Sequence, residues 1–333
     1  MEHRKLGKKG PRVSALGLGC MGMSASYGVT DDATSLQVIQ RAYDRGITFF
    51  DTADMYGNGA NEQLLGGAIR SFRDKIILAT KCGIKFIGDE CKIDNIPSYI
   101  KQSCEASLRR LGVEEIDLYY LHRYNPGVPL HESMGALLDL IKEGKVKHIG
   151  LSEVDGETLG KAHQILGDSL VALQTEYSIA NAEFAEIVLP TCRKLGISFI
   201  PYSPLGRGLL SGKIKDAKAF KESTAIEYRA MLPQFQPDVL TDNLVLIKAI
   251  ETIAKRKKCT VAQLSLAWLL AQGNDIIPIP GTKKLEYLEE NIGSLNVSLS
   301  NEDLELIENA RSENPVKGGR YPKELMELFH LKI

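Results

Sequence analysis

The feature that most constrains this chain is a unit that recurs along it: an amphipathic run, a basic residue, a glycine and then a short apolar strand. It is visible in YDRGITFFDT, LRRLGVEEIDLYYLH, IKEGKVKHIGLSE and CRKLGISFIPYSP. Gly46, Gly112, Gly144 and Gly196 stand where a helix ends in the left-handed conformation, and the nearby Arg or Lys suits the negative end of the helix dipole. Eight segments read as strands: VSALGLG, ITFFDTA, KIILATK, IDLYYLH, VKHIGLS, LVALQTE, ISFIPYS and DIIPIPG. Stretches of helical periodicity follow them, such as SLQVIQRAYD and YIKQSCEASLRRL. Mostly continuous apolar strands belong to a sheet covered on both faces, and the alternation of β and α makes the pairing parallel. Eight such units closing on themselves predict an α/β fold, a (β/α)8 TIM barrel.

No linker or low-complexity stretch divides the chain, so residues 1–333 read as a single barrel domain; such barrels often run past about 250 residues. Ahead of the first strand, HRKLGKKGPRVSA predicts a β-hairpin turning at Lys9-Gly10 and plugging the barrel bottom. Residues 82–98 and 205–240 lengthen the loops after strands three and seven, at the C-terminal mouth where barrels of this kind carry their sites. Residues 311–333 form a C-terminal tail that matches no motif.

Lys and Arg total 41 against 42 Asp and Glu, a net charge of -1, so neither nucleic acid nor a membrane is an expected partner. The six cysteines are scattered, without a CxxC or clustering with His, which points to reduced thiols and no metal site. MEHRKLGKKG lacks the apolar core of a signal peptide, and VAQLSLAWLLA is too short for a membrane span and carries Gln263 and Ser265. The expectation is a soluble cytoplasmic protein; its oligomeric state is left open.

In a barrel, the C-terminal strand ends converge. Read in order, they present Asp51 and Tyr56, Lys81, His122, Ser152 and Glu153, Gln174, then Tyr202 and Ser203. A phenol is a poor acid near neutral pH, with an ordinary pKa of about 10. An ammonium beside it favours the phenolate and lowers that pKa, and a carboxylate holds the ammonium in place. On this reading Tyr56 is a general acid, Lys81 its electrostatic partner, Asp51 the anchor of Lys81, and His122 a donor to a carbonyl oxygen or a proton relay. Asp54 reads as a loop residue, and Cys82 as a small core residue rather than a reactive thiol. GLGCMG matches GxGxxG, but no helix follows at once and no acidic residue closes a βαβ unit, so a Rossmann fold is set aside.

FFDTADMYG, ATK, IDLYYLH, GLSE, LQTEYS, PYSPLGRGLL and IPGTKKLEYLEEN together resemble the aldo-keto reductase family over nearly the whole chain. The look is closest to the perakine-reductase, pyridoxal-reductase and aryl-alcohol-dehydrogenase members. The resemblance implies a catalytic tetrad of Asp51, Tyr56, Lys81 and His122 and an NADPH-dependent reduction of aldehydes, and some ketones, to alcohols. Channel-associated β-subunits of the same fold typically replace the tetrad His, so His122 favours an enzyme. The resemblance also implies NADPH extended across the mouth. Tyr202 would stack on the nicotinamide, while Ser152 and Gln174 bond its carboxamide. The backbone of Ser203, Leu205, Gly206 and Gly208 would wrap the pyrophosphate. Gly281, Thr282 and Lys283, near a helix start, would meet the 2′-phosphate, and Glu290 and Asn291 the adenine. Glu153 departs from the family, where many members have Asn. A mouth lined by Met23, Tyr27, Met55, Phe86 and Tyr124 predicts an aromatic or otherwise hydrophobic aldehyde as substrate.

Overall fold

The chain opens with an antiparallel hairpin, β1 (His3–Lys5) and β2 (Arg12–Ser14), as its sequence predicts. In this computed structural model, residues 1–331 are described except Ala25, Asp89, 218–219 and 221–226. The strands that follow are β3 (Leu18–Gly19), β4 (Phe49–Asp51), β5 (Ile77–Cys82), a short hairpin of β6 (Ile84–Ile87) and β7 (Glu90–Ile93), β8 (Ile116–Leu121), β9 (Val146–Ser152), β10 (Leu170–Glu176) and β11 (Ser198–Tyr202). Apart from the two hairpins they form one parallel seven-stranded sheet in the order β11-β10-β9-β8-β5-β4-β3.

The eighth predicted strand, DIIPIPG, closes the barrel without a full ladder. The N–H groups of Ile277 and Ile279 donate to Phe199 and Pro201 of β11 at 2.9 and 3.1 Å. On its other side the carbonyls of Pro278 and Pro280 accept from Gly17 and Gly19 at 2.9 and 3.3 Å. The two prolines account for this pattern, because they remove the donors that would face β3. Gly17 and Gly19 are packing glycines: a Cβ on Gly17 would lie 2.8 Å from the Phe49 ring, and one on Gly19 2.8 Å from the Ile279 carbonyl. The fold is the predicted (β/α)8 barrel, not a Rossmann unit.

Helices pack around the sheet, from Asp32–Asp44 after β3 to Leu285–Gly293 after the closing strand. The four unit glycines all take the left-handed conformation, with φ of 87° at Gly46, 65° at Gly112, 72° at Gly144 and 71° at Gly196. Inside the barrel, Leu6 and Val13 of the hairpin join Phe49, Leu118, Val171 and Ile277 in a separate apolar cluster, so the hairpin plugs the bottom. Arg4 secures it by donating to the carbonyls of Gly273 and Ile276 at 2.7 and 2.6 Å.

The long loop after β5 carries structure of its own. Residues 82–98 hold the β6–β7 hairpin, whose signal was the Gly88-Asp89 pair between two apolar-rich runs. In the loop after β11, residues 218–219 and 221–226 lie outside the described residues, and a helix begins at Pro237. Beyond the helix Asn301–Glu313, the tail returns to the mouth and ends in the short helix Lys323–Leu328. Among the described residues no helix is long and apolar enough to cross a membrane.

Candidate active site

β4 ends in Asp51, and a turn beginning at Tyr56 brings the phenol back over the strand end. Lys81, near the end of β5, is fully buried beneath it. Its ammonium is ion-paired with Asp51 Oδ1, donates to the Thr52 carbonyl at 2.7 Å and lies 3.5 Å from the Tyr56 hydroxyl. From across the barrel, Gln174 Nε2 on β10 donates to Asp51 Oδ2 at 2.8 Å, so both carboxylate oxygens are held. His122, just past β8, stands edge-on to Tyr56 with ring centroids 5.9 Å apart. The four residues expected to act together are therefore in one place.

Burial dominates their electrostatics. It pushes the Asp51 carboxyl up and the Lys81 ammonium down, against the attraction between the two. It drives His122 well below its ordinary value, helped by the charges of Arg123 and Lys81, so the imidazole is neutral. The expected lowering of the Tyr56 pKa is not what the structure gives. Burial, followed by the Asp51 charge, holds the phenol well above its ordinary value, against the pull of the Arg123 charge. A phenol so placed keeps its proton until a charge develops beside it.

Asp54 lies in the turn after β4, as its sequence predicts, and is half-buried there. Its Oδ1 is buried without a partner, and burial plus the neighbouring Glu62 raises its pKa well above the ordinary carboxylate range. It does not line the cavity. Because its folded pKa lies above its unfolded one, its stabilising contribution is complete below about pH 4 and is lost as pH rises through the folded value. Asp54→Asn removes that dependence. Urea midpoints of the variant should match wild type most closely near pH 4 and climb above it towards pH 8; a difference constant across that range would contradict a buried neutral acid.

The mouth opens into a cavity of about 930 Å³. Asp51, Tyr56, His122, Ser152, Gln174 and Tyr202 line it near the strand ends, then Ser203, Leu205 and Gly208, then Gly281, Thr282, Lys283, Glu290 and Asn291. Lys81 sits behind this wall. Gly206 does too; with φ 55° it shapes the turn and donates its N–H to the Ser203 carbonyl at 2.8 Å. At the far end the helix Leu285–Gly293 starts at Lys284 without a side-chain cap, leaving N–H groups open to an anion. Lys283 there donates to the carbonyls of Tyr27 and Val29, 2.5 Å each, and Glu290 pairs with Lys213 at 2.8 Å. A glycine turn, a flat phenol face and an uncapped helix start flanked by lysines fit an extended dinucleotide.

Of the apolar residues expected at the mouth, Tyr27, Met55 and Phe86 line the cavity. Met23 and Tyr124 do not. Met23 is fully buried in the core, and Tyr124 packs on the core and donates to the Val128 carbonyl at 3.2 Å. The tail supplies Tyr321, Leu325 and Phe329 in their stead.

Sequence reasoning missed a buried charge network beside the mouth. Glu153 (φ 55°) is gripped by Arg320 of the tail through two hydrogen bonds of 3.0 Å and accepts from the Glu176 N–H at 2.9 Å. Burial alone would raise the Glu153 pKa, but Arg320 and Arg123 outweigh it and hold the pKa below the ordinary carboxylate range. Glu176 in turn holds Arg207 at 2.6 and 2.7 Å and lies 3.6 Å from Arg320. The Tyr321 and Tyr202 hydroxyls meet at 2.9 Å. Arg123 and Arg207 were visible within LHRY and PLGRG, whereas Arg320 and Tyr321 carried no signal.

The family model of the aldo/keto reductases matches residues 15–312. The chain belongs to the aldo/keto reductase family. It is 45% identical over 320 residues, 95% of this chain and 91% of the other, to Probable aldo-keto reductase 1 of Glycine max. Among solved structures it is similar to the glycerol dehydrogenase AKR11B4 from Gluconobacter oxydans, with a TM-score of 0.84 at 26% identity, covering 95% of this chain and 97% of that one. It is also similar to the thermostable aldo-keto reductase Tm1743 in complex with epalrestat, with a TM-score of 0.74 at 29% identity over 93% of this chain and 100% of that one. As an aldo/keto reductase it is an oxidoreductase that uses a nicotinamide cofactor on small-molecule carbonyl compounds.

Proposed function

We propose that this reductase converts aldehydes, and some ketones, to alcohols with NADPH, and that Tyr56 is the general acid. The observation that carries the reading is the placement of the Tyr56 hydroxyl at the cavity wall, 3.5 Å from the Lys81 ammonium and beside the neutral His122. When bound, the nicotinamide supplies the hydride. Tyr56 gives its proton to the carbonyl oxygen as that oxygen becomes negative. Lys81 offsets the charge left on the phenol oxygen, and Asp51 with Gln174 keeps Lys81 beneath it. His122, neutral, offers an N–H to the same oxygen. The tail residues Tyr321, Leu325 and Phe329 cover this end of the cavity and help exclude water.

Tyr202 supplies a face for the nicotinamide, Ser152 and Gln174 supply partners for its carboxamide, and the backbone of 203–208 a turn for the pyrophosphate. Gly281, Thr282 and Lys283 at the uncapped helix start suit a 2′-phosphate, with Glu290 and Asn291 placed for the adenine. The aromatic and apolar mouth suits a hydrophobic aldehyde. The test is consumption of NADPH and of NADH with benzaldehyde. Wild type should prefer NADPH, and Lys283→Glu should raise the KM for NADPH at least about tenfold more than that for NADH. Equal losses would remove Lys283 from the phosphate site, and no turnover with either cofactor would refute the reductase reading.

A further inference from the structure

The network beside the mouth neutralises itself: Glu153 and Glu176 are paired with Arg320 and Arg207. Arg123, the residue after His122, is left over. It is only 5% exposed and lines the cavity. Its Nη1 is used by the His122 carbonyl at 2.6 Å and the Ser152 hydroxyl at 3.0 Å, and its Cζ lies 5.2 Å from the Phe329 ring centroid. Among the described residues no carboxylate forms an ion pair with it within 4.0 Å. Nε is buried without an acceptor, and among the described residues none meets Nη2. Nε and Nη2 form the edge through which a guanidinium grips a carboxylate with two parallel hydrogen bonds. A buried cation is ordinarily paired with an anion. Here Glu153, whose charge acts on Arg123, accepts its hydrogen bonds from Arg320 instead, and among the described residues no carboxylate pairs directly with Arg123, a side chain on the wall of the reaction cavity.

We propose that Arg123 binds a carboxylate of the substrate, so that the preferred aldehydes are aromatic or apolar molecules carrying an acid group near the carbonyl. This rests on the reductase reading, in which the carbonyl meets Tyr56 and His122; Arg123, the next residue along, places the acid beside it. Met55, Phe86, Leu325 and Phe329 remain to hold the apolar body. The alternative role for Arg123 is to orient the Ser152 hydroxyl, which would affect every substrate alike.

The experiment compares kcat/KM for ortho-, meta- and para-carboxybenzaldehyde with that for their methyl esters, at saturating NADPH, in wild type and Arg123→Gln. In wild type at least one acid should outrun its ester by about 30-fold or more, the size expected of a desolvated charge pair. In Arg123→Gln that ratio should fall to about unity, mainly through KM. Benzoate should also compete with benzaldehyde in wild type and lose at least about tenfold in potency in the variant. If no acid outruns its ester in wild type, the proposal fails even should the variant not fold. If the variant slows acid and ester equally, Arg123 is a positioning residue for Ser152 and the proposal fails. If neither acids nor esters are reduced, the reductase reading falls first, an outcome distinct from reduction without acid preference.

Discussion

Tyr56→Phe should lower kcat for aldehyde reduction by about 10²- to 10⁴-fold, the usual contribution of a positioned general acid. Cofactor binding, followed by quenching of protein fluorescence on titration with NADPH, should be unchanged. The substitution removes one hydroxyl and keeps the ring against His122. Lys81 retains its pairing with Asp51 and its 2.7 Å bond to the Thr52 carbonyl, so no buried charge is stranded. The loss therefore reports on the proton and not on the fold. Turnover within a few-fold of wild type would remove Tyr56 from the chemistry and shift the acid to His122.

Glu176→Gln should produce the largest loss of stability, on the order of 3–5 kcal/mol in urea denaturation, because it strands a buried charge. The Glu176 carboxylate is fully buried and Arg207 nearly so, at 2% side-chain exposure. Glu176 accepts two hydrogen bonds from Arg207, at 2.6 and 2.7 Å, and one from Asn181 Nδ2 at 2.9 Å. Gln keeps the shape but leaves the guanidinium with no full negative charge against it. The double variant Glu176→Gln/Arg207→Met should recover much of the loss, since an apolar stem of similar length needs no counter-charge. A single variant as stable as wild type would show that water or Arg320 compensates, and would deny the network any part in holding the tail.

Three of the four residues expected to act together were legible because they sit at strand ends, which follow from the hydrophobic runs before them, and Tyr56 lies on the turn just beyond the first of these. Asp51 closes FFD, Lys81 closes LATK and His122 follows LYYL. Asp54 shows the limit of that logic. Three positions from Asp51, it is the turn residue that the sequence predicts, but only the packing turns its carboxyl inward beside Glu62. Tyr56 shows another: proximity to Lys81 was foreseeable, whereas the direction of its pKa depended on how completely the phenol is buried. Met23 and Tyr124 lie in apolar surroundings as expected, but on the core side and not on the cavity side.

The sequence by itself determined the βα alternation, the helix-ending glycines, the plugging hairpin and the four residues that meet at the mouth. Each of these follows from short-range periodicity, and a barrel turns strand ends into neighbours without further information. The tertiary structure alone decided what encloses that site. Glu153 meets Arg320 across 167 positions, and Tyr202 meets Tyr321 across 119. Among the described residues no carboxylate pairs directly with Arg123, because Glu153 is taken up by Arg320. Separations of that length are set by barrel closure and by the docking of the tail, and no local pattern encodes them.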